Sequence, residues 1–99
     1  MPKAYLVARI DVTDPDRYGR YAAETPGIAA RFGGRFIVRA GRFDAKEGQA
    51  RARNAIIEFP DYDSALAFYD CDAYRAVLPH AVAGSEREVV IVEGVEEDA

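Results

Sequence analysis

Alternating apolar and polar side chains predict a strand from Lys3 to Val12, where apolar residues occupy every second position. Side chains two residues apart lie on the same face of a strand. One face of this strand is therefore wholly apolar, and we expect it to carry the helices. The other face combines Tyr5 and Val7 with Arg9 and Asp11.

Three later segments have a similar strand character. They are Arg35–Phe43, Ala50–Phe59 and Glu86–Val95. The polar run Asp44–Gly48 separates the first two segments, which are predicted to form a hairpin with a loop of about five residues. The last four residues, Glu96–Ala99, form an acidic tail that we expect to fray.

The first helix is predicted to begin at Asp14 and Pro15. Aspartate caps the first turn of a helix, and proline suits the first helical position. Proline inside a helix removes a hydrogen bond, so this helix should break or kink at Pro26. It should end at Gly33 and Gly34, since glycine accepts the left-handed conformation that follows many helices.

The second helical region follows strand 3, and either Asp61 or Asp63 can cap it. Asp72–Val82 is predicted to continue it as a second piece, broken near Pro79. The order β-α-β-β-α-β is the ferredoxin-like pattern. With right-handed crossovers it gives an α+β fold, a four-stranded antiparallel sheet with the helices on one face.

Composition is that of one small folded domain, which we expect to span residues 1–95. The 99 residues are 49% apolar and 30% charged, which argues against disorder. A net charge of −4 argues against general binding to nucleic acids or anionic membranes, which needs a basic surface. The N-terminal segment has no long apolar run, so we expect no signal peptide, no membrane span and a cytoplasmic location.

Cysteine and histidine chemistry has little support in the sequence. Cys71 is the only cysteine and His80 the only histidine, which excludes an intrachain disulfide and a four-ligand zinc site. Cys71 lies between Asp70 and Asp72, whose negative charge disfavours a reactive thiolate. His80 is either a general base or a structural residue near a helix end. No motif for a metal or a cofactor is present, and none is expected.

A basic segment stands out in this acidic chain. Residues 31–53 contain seven lysines and arginines but only two acids. Arginine suits bidentate binding of carboxylate or phosphate, although charged residues also protect a sheet edge from aggregation. In the second strand, Phe36 and Val38 fit the core beneath the helices. Ile37 and Arg39 are therefore expected on the helix-free side, where Arg39 would face a cavity or a partner subunit.

Two charges interrupt the central strands. Arg9 lies in strand 1 and Glu58 in strand 3, so an ion pair between them is predicted. The alternative is a polar pocket in which Arg9, Arg39 and Glu58 gather around Tyr5, with His80 as a further candidate. The expected ligand of such a pocket is a small carboxylate or an aromatic acid.

Four phrases of the sequence resemble the DUF1330 family: DVTDP followed by tyrosines, GGRFIVRAG, IEFPDYDSALAFY and a closing VEG. The resemblance covers nearly the whole chain. It implies membership of the dimeric α/β-barrel superfamily, in which two ferredoxin-like sheets pack face to face across a two-fold axis. A homodimer through the helix-free sheet face is therefore expected, since an exposed apolar face usually marks a partner surface.

The resemblance implies little about activity. Related families include monooxygenases, dismutases and ligand-binding proteins, whereas this family has no assigned function. Many relatives have an arginine just before the last strand, where this chain has PHAVAG from Pro79 to Gly84. A role for that arginine is therefore not carried over to this chain.

Two functions are compatible with the sequence. The first is a small-molecule site that binds or converts an anionic or aromatic metabolite without a metal. The second is a non-enzymatic, dimeric interaction or accessory protein. The residues leave open whether the chain is an enzyme. A pocket containing unpaired arginine and tyrosine groups would favour the first function.

Overall fold

The computed structural model describes residues 1–96. Its elements are β1 (Ala4–Val12), α1 (Pro15–Ala30), β2 (Arg35–Arg39), β3 (Arg53–Phe59), α2 (Tyr62–Asp70), α3 (Asp72–Gly84) and β4 (Ser85–Glu93). The strands form one antiparallel sheet in the order β2-β3-β1-β4. The predicted ferredoxin-like α+β fold is confirmed. The predicted fraying of the tail concerns residues that, beyond Glu96, lie outside the described part of the chain.

The core lies between the helices and the apolar face of β1, as the alternation predicts. Leu6 and Ile10 are almost fully buried on that face. Phe59, Phe68 and Tyr74 are fully buried above it, and the ring of Phe68 lies 5.2 Å from that of Phe59 and 4.6 Å from that of Tyr74. Burial of these large rings supplies much of the hydrophobic stabilisation of a domain this small.

Helix α1 begins as predicted but does not break at Pro26. The Asp14 carboxylate accepts a hydrogen bond from the Arg17 backbone N–H at 3.2 Å, and the helix then continues to Ala30. Because proline has no N–H, the Ala22 carbonyl four residues earlier lacks its helical donor. The Arg39 guanidinium donates to that carbonyl at 3.1 Å, which compensates the lost bond from outside the helix.

Of the two residues predicted as possible caps of α2, Asp61 is the cap, and its carboxylate accepts from the Ser64 backbone N–H at 2.7 Å. Cys71 then separates α2 from α3, and its sulfur accepts from the Tyr74 backbone N–H at 3.4 Å. The break predicted near Pro79 is wrong, since α3 continues through it to Gly84. Among the helices of residues 1–96, none is long and apolar enough to cross a membrane.

The β2–β3 connection is longer than predicted. β2 ends at Arg39 because Ala40 has a φ of 57°, and β3 starts only at Arg53. Residues 40–52 therefore form the loop, instead of a turn of about five residues. Its C-terminal end binds β1 through side chains, since the Asp11 carboxylate accepts from the Ala52 backbone N–H and from the Arg51 guanidinium, both at 2.9 Å.

Candidate functional site

The five candidate residues do not form one site. Tyr5, Arg9 and Glu58 lie on the helix-free face of the sheet, where Tyr5 is directly opposite Glu58. Arg39 lies on the helix-covered face, and His80 lies in the helical layer. The Arg17 guanidinium donates to Nδ1 of His80 at 3.0 Å, which links α1 to α3.

The predicted Arg9–Glu58 ion pair is wrong. Arg9 contacts a carboxylate, but its partner is Glu88 on β4 at 3.3 Å. Glu58 is paired with Arg35 at 3.2 Å and with Lys3 at 3.6 Å. The strand register explains the difference: Glu58 lies opposite Tyr5, four residues from Arg9, which corresponds to about 13 Å along a strand.

The orientation predicted for Arg39 is also wrong. Phe36 is paired with Ile57 and Arg39 with Ala55, both on the helix-covered face. A register shift between Phe36 and Val38 leaves Ile37 without a partner in the ladder. Such a bulge adds one residue and reverses the alternation beyond it. Arg39 therefore shares a face with Phe36, and its guanidinium lies 5.0 Å from the centre of that ring.

A cleft between α1 and the sheet combines an apolar lining with several arginine side chains. Its floor includes Ala8 and Ala55, whose small side chains leave space beneath the helix. Three arginines, Arg39, Arg53 and Arg87, line the same cleft. We call it the arginine cleft. Its empty volume is about 400 Å³ including the part open to solvent, and the portion wide enough for water is about 30 Å³.

The sheet register brings the three arginines together. Arg53 and Arg87 flank Ile10 on either side, so their backbones are about 10 Å apart across β1. Arg39 is paired with Ala55 and is therefore the diagonal neighbour of Arg53, at about 7–8 Å. Long arginine side chains easily span these separations. Arg39 is exposed, whereas Arg53 and Arg87 are half-buried, so Arg39 marks the solvent end of the cleft.

Tyrosines from the helices cover the two inner arginines. The Arg53 guanidinium lies 5.6 Å from the centre of the Tyr18 ring, and the Arg87 guanidinium lies 4.7 Å from that of Tyr21. These are cation–π distances. Arg87 also donates to the Tyr74 hydroxyl at 3.2 Å, and the Tyr74 and Tyr21 hydroxyls are hydrogen-bonded at 2.8 Å.

Burial and hydrogen bonding change the pKa values of Tyr18, Tyr74 and Arg87. Burial raises the pKa of Tyr18 and that of Tyr74 above the ordinary value of 10.0, so both hydroxyls stay protonated. Burial alone would lower the pKa of Arg87, but its interactions with Tyr21 and Tyr74 outweigh this, and the pKa is raised overall. Arg87 therefore stays charged at every physiological pH.

No carboxylate within residues 1–96 forms an ion pair with Arg39, Arg53 or Arg87. Nε of Arg53 is moreover buried and has no hydrogen-bond partner in the described part of the chain. Unpaired buried polar groups are rare because each costs free energy. Arginines without carboxylate partners, together with the unpartnered Nε of Arg53, are the features that best indicate a ligand-binding site.

Reasoning from the sequence missed Arg53, Arg87 and their tyrosine partners as site residues. A signal was present in the alternation of β3 and β4. Arg53 shares a face with Ala55 and Ile57, and Arg87 shares one with Val89. An arginine at the end of an apolar strand face indicates a charge that points toward the core.

Solved structures of similar fold include three that cover most of this chain. A dimeric ferredoxin-like protein of unknown function from Jannaschia sp. CCS1 has a TM-score of 0.75 and 17% identity, covering 93% of this chain and 99% of that one. A protein of unknown function from Rhodopseudomonas palustris has a TM-score of 0.72 and 14% identity, covering 96% and 84%. SnoaB, a cofactor-independent oxygenase from Streptomyces nogalater, has a TM-score of 0.68 and 16% identity, covering 97% and 96%.

Identities this low indicate a shared fold and nothing finer. No curated protein matches the sequence. The family model described as a domain of unknown function (DUF1330) matches residues 3–95, almost the whole chain. The protein therefore belongs to the DUF1330 family.

Proposed function

We propose that this protein binds a small organic anion, an aromatic carboxylate, in the arginine cleft. One observation carries the proposal. Arg39, Arg53 and Arg87 line a single cleft, and none of them has a carboxylate partner among the described residues. An isolated buried charge is costly, so an anion that pairs with these groups would stabilise the folded protein.

The donor geometry favours a carboxylate. A guanidinium presents parallel N–H groups that match the two oxygens of a carboxylate, and such charge-assisted bonds are stronger than neutral ones. Arg53 lines the cleft, and its buried Nε has no hydrogen-bond partner among the described residues. The portion wide enough for water is small, about 30 Å³, so the ligand proposed here places its carboxylate group in it and extends its remaining atoms toward the mouth.

The lining favours an aromatic ligand. Phe36 lies at the Arg39 end of the cleft, and the Tyr18 and Tyr21 rings, 5.5 Å apart, form its cover. Flat rings pack well against aromatic side chains and against the small floor residues Ala8 and Ala55.

Binding is better supported than proton transfer. Within residues 1–96, the side chains that line the arginine cleft include no histidine, cysteine, aspartate or glutamate. Burial raises the pKa of Tyr18, which lines the cleft, and that of Tyr74, which is hydrogen-bonded to Arg87, so both hydroxyls stay protonated. The cleft thus offers hydrogen-bond donors and positive charge but no general base. The oxygenase activity of SnoaB belongs to that protein, and we propose none here.

We propose in addition that the protein is a homodimer formed through the helix-free face of the sheet. Val90 and Val92 are 57% and 48% exposed there, next to Val7 and Ile56. The ferredoxin-like protein from Jannaschia sp. CCS1 is dimeric, which supports a homodimer here. Sedimentation at micromolar concentration should give a dimer, and a V90K/V92K variant should give a monomer. A monomeric wild-type protein would refute the proposal.

We also propose that the protein is cytoplasmic. The sole cysteine, Cys71, is a free thiol, which is typical of proteins in reducing compartments. Fractionation of cells that express a tagged full-length chain would test it.

Anion binding is tested with a panel of aromatic carboxylates and the corresponding uncharged amides. Carboxylates should raise the melting temperature of the wild-type protein and amides should not, because ligand binding stabilises the folded state by mass action. Arg53→Gln should weaken binding by at least about tenfold, the value of one charge-assisted hydrogen bond.

Arg35→Gln is the matched control, since Arg35 lies on the opposite face and is paired with Glu58. This variant should bind as the wild type does. If no carboxylate binds, or if the two variants bind equally, the ligand site is not the arginine cleft. The interaction-protein alternative would then be favoured.

A further inference from the structure

A contact between Arg39 and helix α1 separates this arginine from the other two in the cleft. Its guanidinium donates to the Ala22 carbonyl at 3.1 Å. That carbonyl is available because residue 26, the helical partner it would otherwise have, is proline. The Phe36 ring, 5.0 Å away, supports the guanidinium from another side.

These two contacts fix the position of Arg39 without neutralising it. A backbone carbonyl and an aromatic ring carry no net charge, and no carboxylate of residues 1–96 is within ion-pair distance. Only one of the five N–H donors of a guanidinium is used on Ala22. Arg39 is therefore a preorganised cation with free donors at the solvent end of the cleft.

The inner end of the cleft has its own anion-binding groups. Arg53 and Arg87 stack on Tyr18 and Tyr21, and Arg53 retains an unused buried donor. A single carboxylate bound there leaves Arg39 unpaired at the mouth. A ligand with a second acidic group that extends toward the mouth would satisfy both ends.

We propose that the ligand is an aromatic dicarboxylate and that Arg39, positioned by Pro26 through the Ala22 carbonyl, selects for its second carboxylate. This inference rests on the anion binding proposed above. Arg53 and Arg87 bind the inner carboxylate, and Arg39 distinguishes dianions from monoanions. Preorganisation matters here because an exposed arginine otherwise loses side-chain entropy when it binds a ligand.

The test compares benzoate with phthalate, isophthalate and terephthalate on the full-length chain by calorimetric titration. The three diacids differ only in the spacing of their carboxylates. At least one should bind the wild-type protein about tenfold or more tightly than benzoate, the difference expected from one charge-assisted hydrogen bond. Arg39→Gln should abolish this preference, because it should weaken binding of the favoured diacid by about tenfold more than it weakens binding of benzoate. Arg42→Gln, a loop arginine outside the cleft, is the matched control and should keep the preference.

Pro26→Ala tests the positioning role separately from the charge. Alanine restores a helical N–H for the Ala22 carbonyl, which competes with Arg39 for that oxygen while leaving the helix intact. The dianion preference should fall several-fold although Arg39 is still present. An unchanged preference in this variant would show that the helix does not position Arg39.

The outcomes separate the two proposals. Absence of binding by all four acids contradicts the anion site itself. Equal binding of benzoate and every diacid to the wild-type protein overturns only the dicarboxylate inference and leaves the monoanion site standing. A preference that survives Arg39→Gln contradicts the role of Arg39.

Discussion

The arginines on the two faces of the sheet differ in their partners. On the helix-free face, Arg9 is paired with Glu88 at 3.3 Å and Arg35 with Glu58 at 3.2 Å. Arg9 and Arg35 retain 45% and 71% of their side-chain exposure, so water shares in solvating their charge. Such pairs contribute about 0–1 kcal/mol each and have no need of a ligand.

On the helix-covered face, Arg39, Arg53 and Arg87 lack carboxylates among the described residues, although Arg53 and Arg87 are half-buried. Arg87 is held by the Tyr74 hydroxyl and the Tyr21 ring, and Arg53 lies over Tyr18. Neutral partners orient a cation without cancelling its charge. The comparison shows that the number of arginines says little about function, whereas the partner of each arginine says much more.

The largest expected effect comes from Arg87→Met, which replaces the innermost cation with an apolar chain of similar length. Binding of aromatic carboxylates should weaken by about a hundredfold or more, as expected when two charge-assisted hydrogen bonds are lost. The free energy of unfolding of the ligand-free protein should not decrease, because apolar replacement of a buried charge is often neutral or stabilising. Calorimetric titration and urea unfolding measure the two quantities. A loss of stability with unchanged affinity would show that Arg87 stabilises the fold and does not bind the anion. The arginines of the two faces would then not differ in function.

A smaller effect is expected from Tyr74→Phe, which removes the hydroxyl shared by Tyr21 and Arg87. The free energy of unfolding should fall by about 1–2 kcal/mol, because buried donors then lack a partner. Tyr62→Phe, at an exposed tyrosine, is the control and should change stability by less than about 0.5 kcal/mol. Equal effects in the two variants would show that the buried hydroxyl network contributes nothing.

On the helix-free face, Arg9→Ala should lower the free energy of unfolding by less than about 1 kcal/mol. The reason is that Arg9 and Glu88 are both substantially exposed. A double-mutant cycle with Glu88→Ala should give a coupling energy in the same range, and high salt should reduce it. A coupling energy of several kcal/mol would mean that the pair is buried in the assembled protein, as the proposed dimer interface would require if it covers this pair.

The smallest effect concerns the loop of residues 40–52. The backbone N–H of Ala52, together with Arg51, holds the pKa of the Asp11 carboxyl below its ordinary value of 3.8. Because the pKa of Asp11 is lower in the folded state, its ionised carboxylate stabilises the folded protein. This stabilisation is fully present above pH 3.8 and is lost as the pH falls through the folded-state pKa.

The amide chemical shift of Ala52, followed by NMR during acidification, should therefore move at a pH below 3.8 in the wild-type protein. In an Asp11→Asn variant this transition should be absent. A transition that persists in the variant would assign the pH dependence to another group. The Asp11→Asn variant should bind aromatic carboxylates with the same affinity as the wild type, since Asp11 does not line the arginine cleft.

Much of the fold was predictable from local sequence. Asp14 with Pro15 predicted the start of α1, and the pair Asp61 and Asp63 predicted that of α2 to within two residues, because caps act within a single turn. The strict alternation of β1 predicted which sheet face the helices cover. The family phrases predicted the family to which residues 3–95 belong.

Two of the errors share a physical cause, which is that distant partners replaced local hydrogen bonds. Pro26 did not break α1, since Arg39 from β2 serves the Ala22 carbonyl. The hairpin loop extended to residue 52, since Asp11 of β1 binds the Ala52 N–H and Arg51. Neither partner is visible from the sequence near Pro26 or near the loop.

In the candidate site, too, some features follow from the sequence and others only from the tertiary structure. By itself the sequence determined the residue types: an acidic chain with a basic β2–β3 segment, several tyrosines on its helices, and a single histidine and cysteine. Only the tertiary structure decided which arginines meet. One unpaired residue at Ile37 turned Arg39 to the covered face, and the strand register placed Arg53 and Arg87 on either side of Ile10. Side-chain direction alternates with every residue, so a single bulge reverses it, and no local pattern along β2 records where the bulge falls.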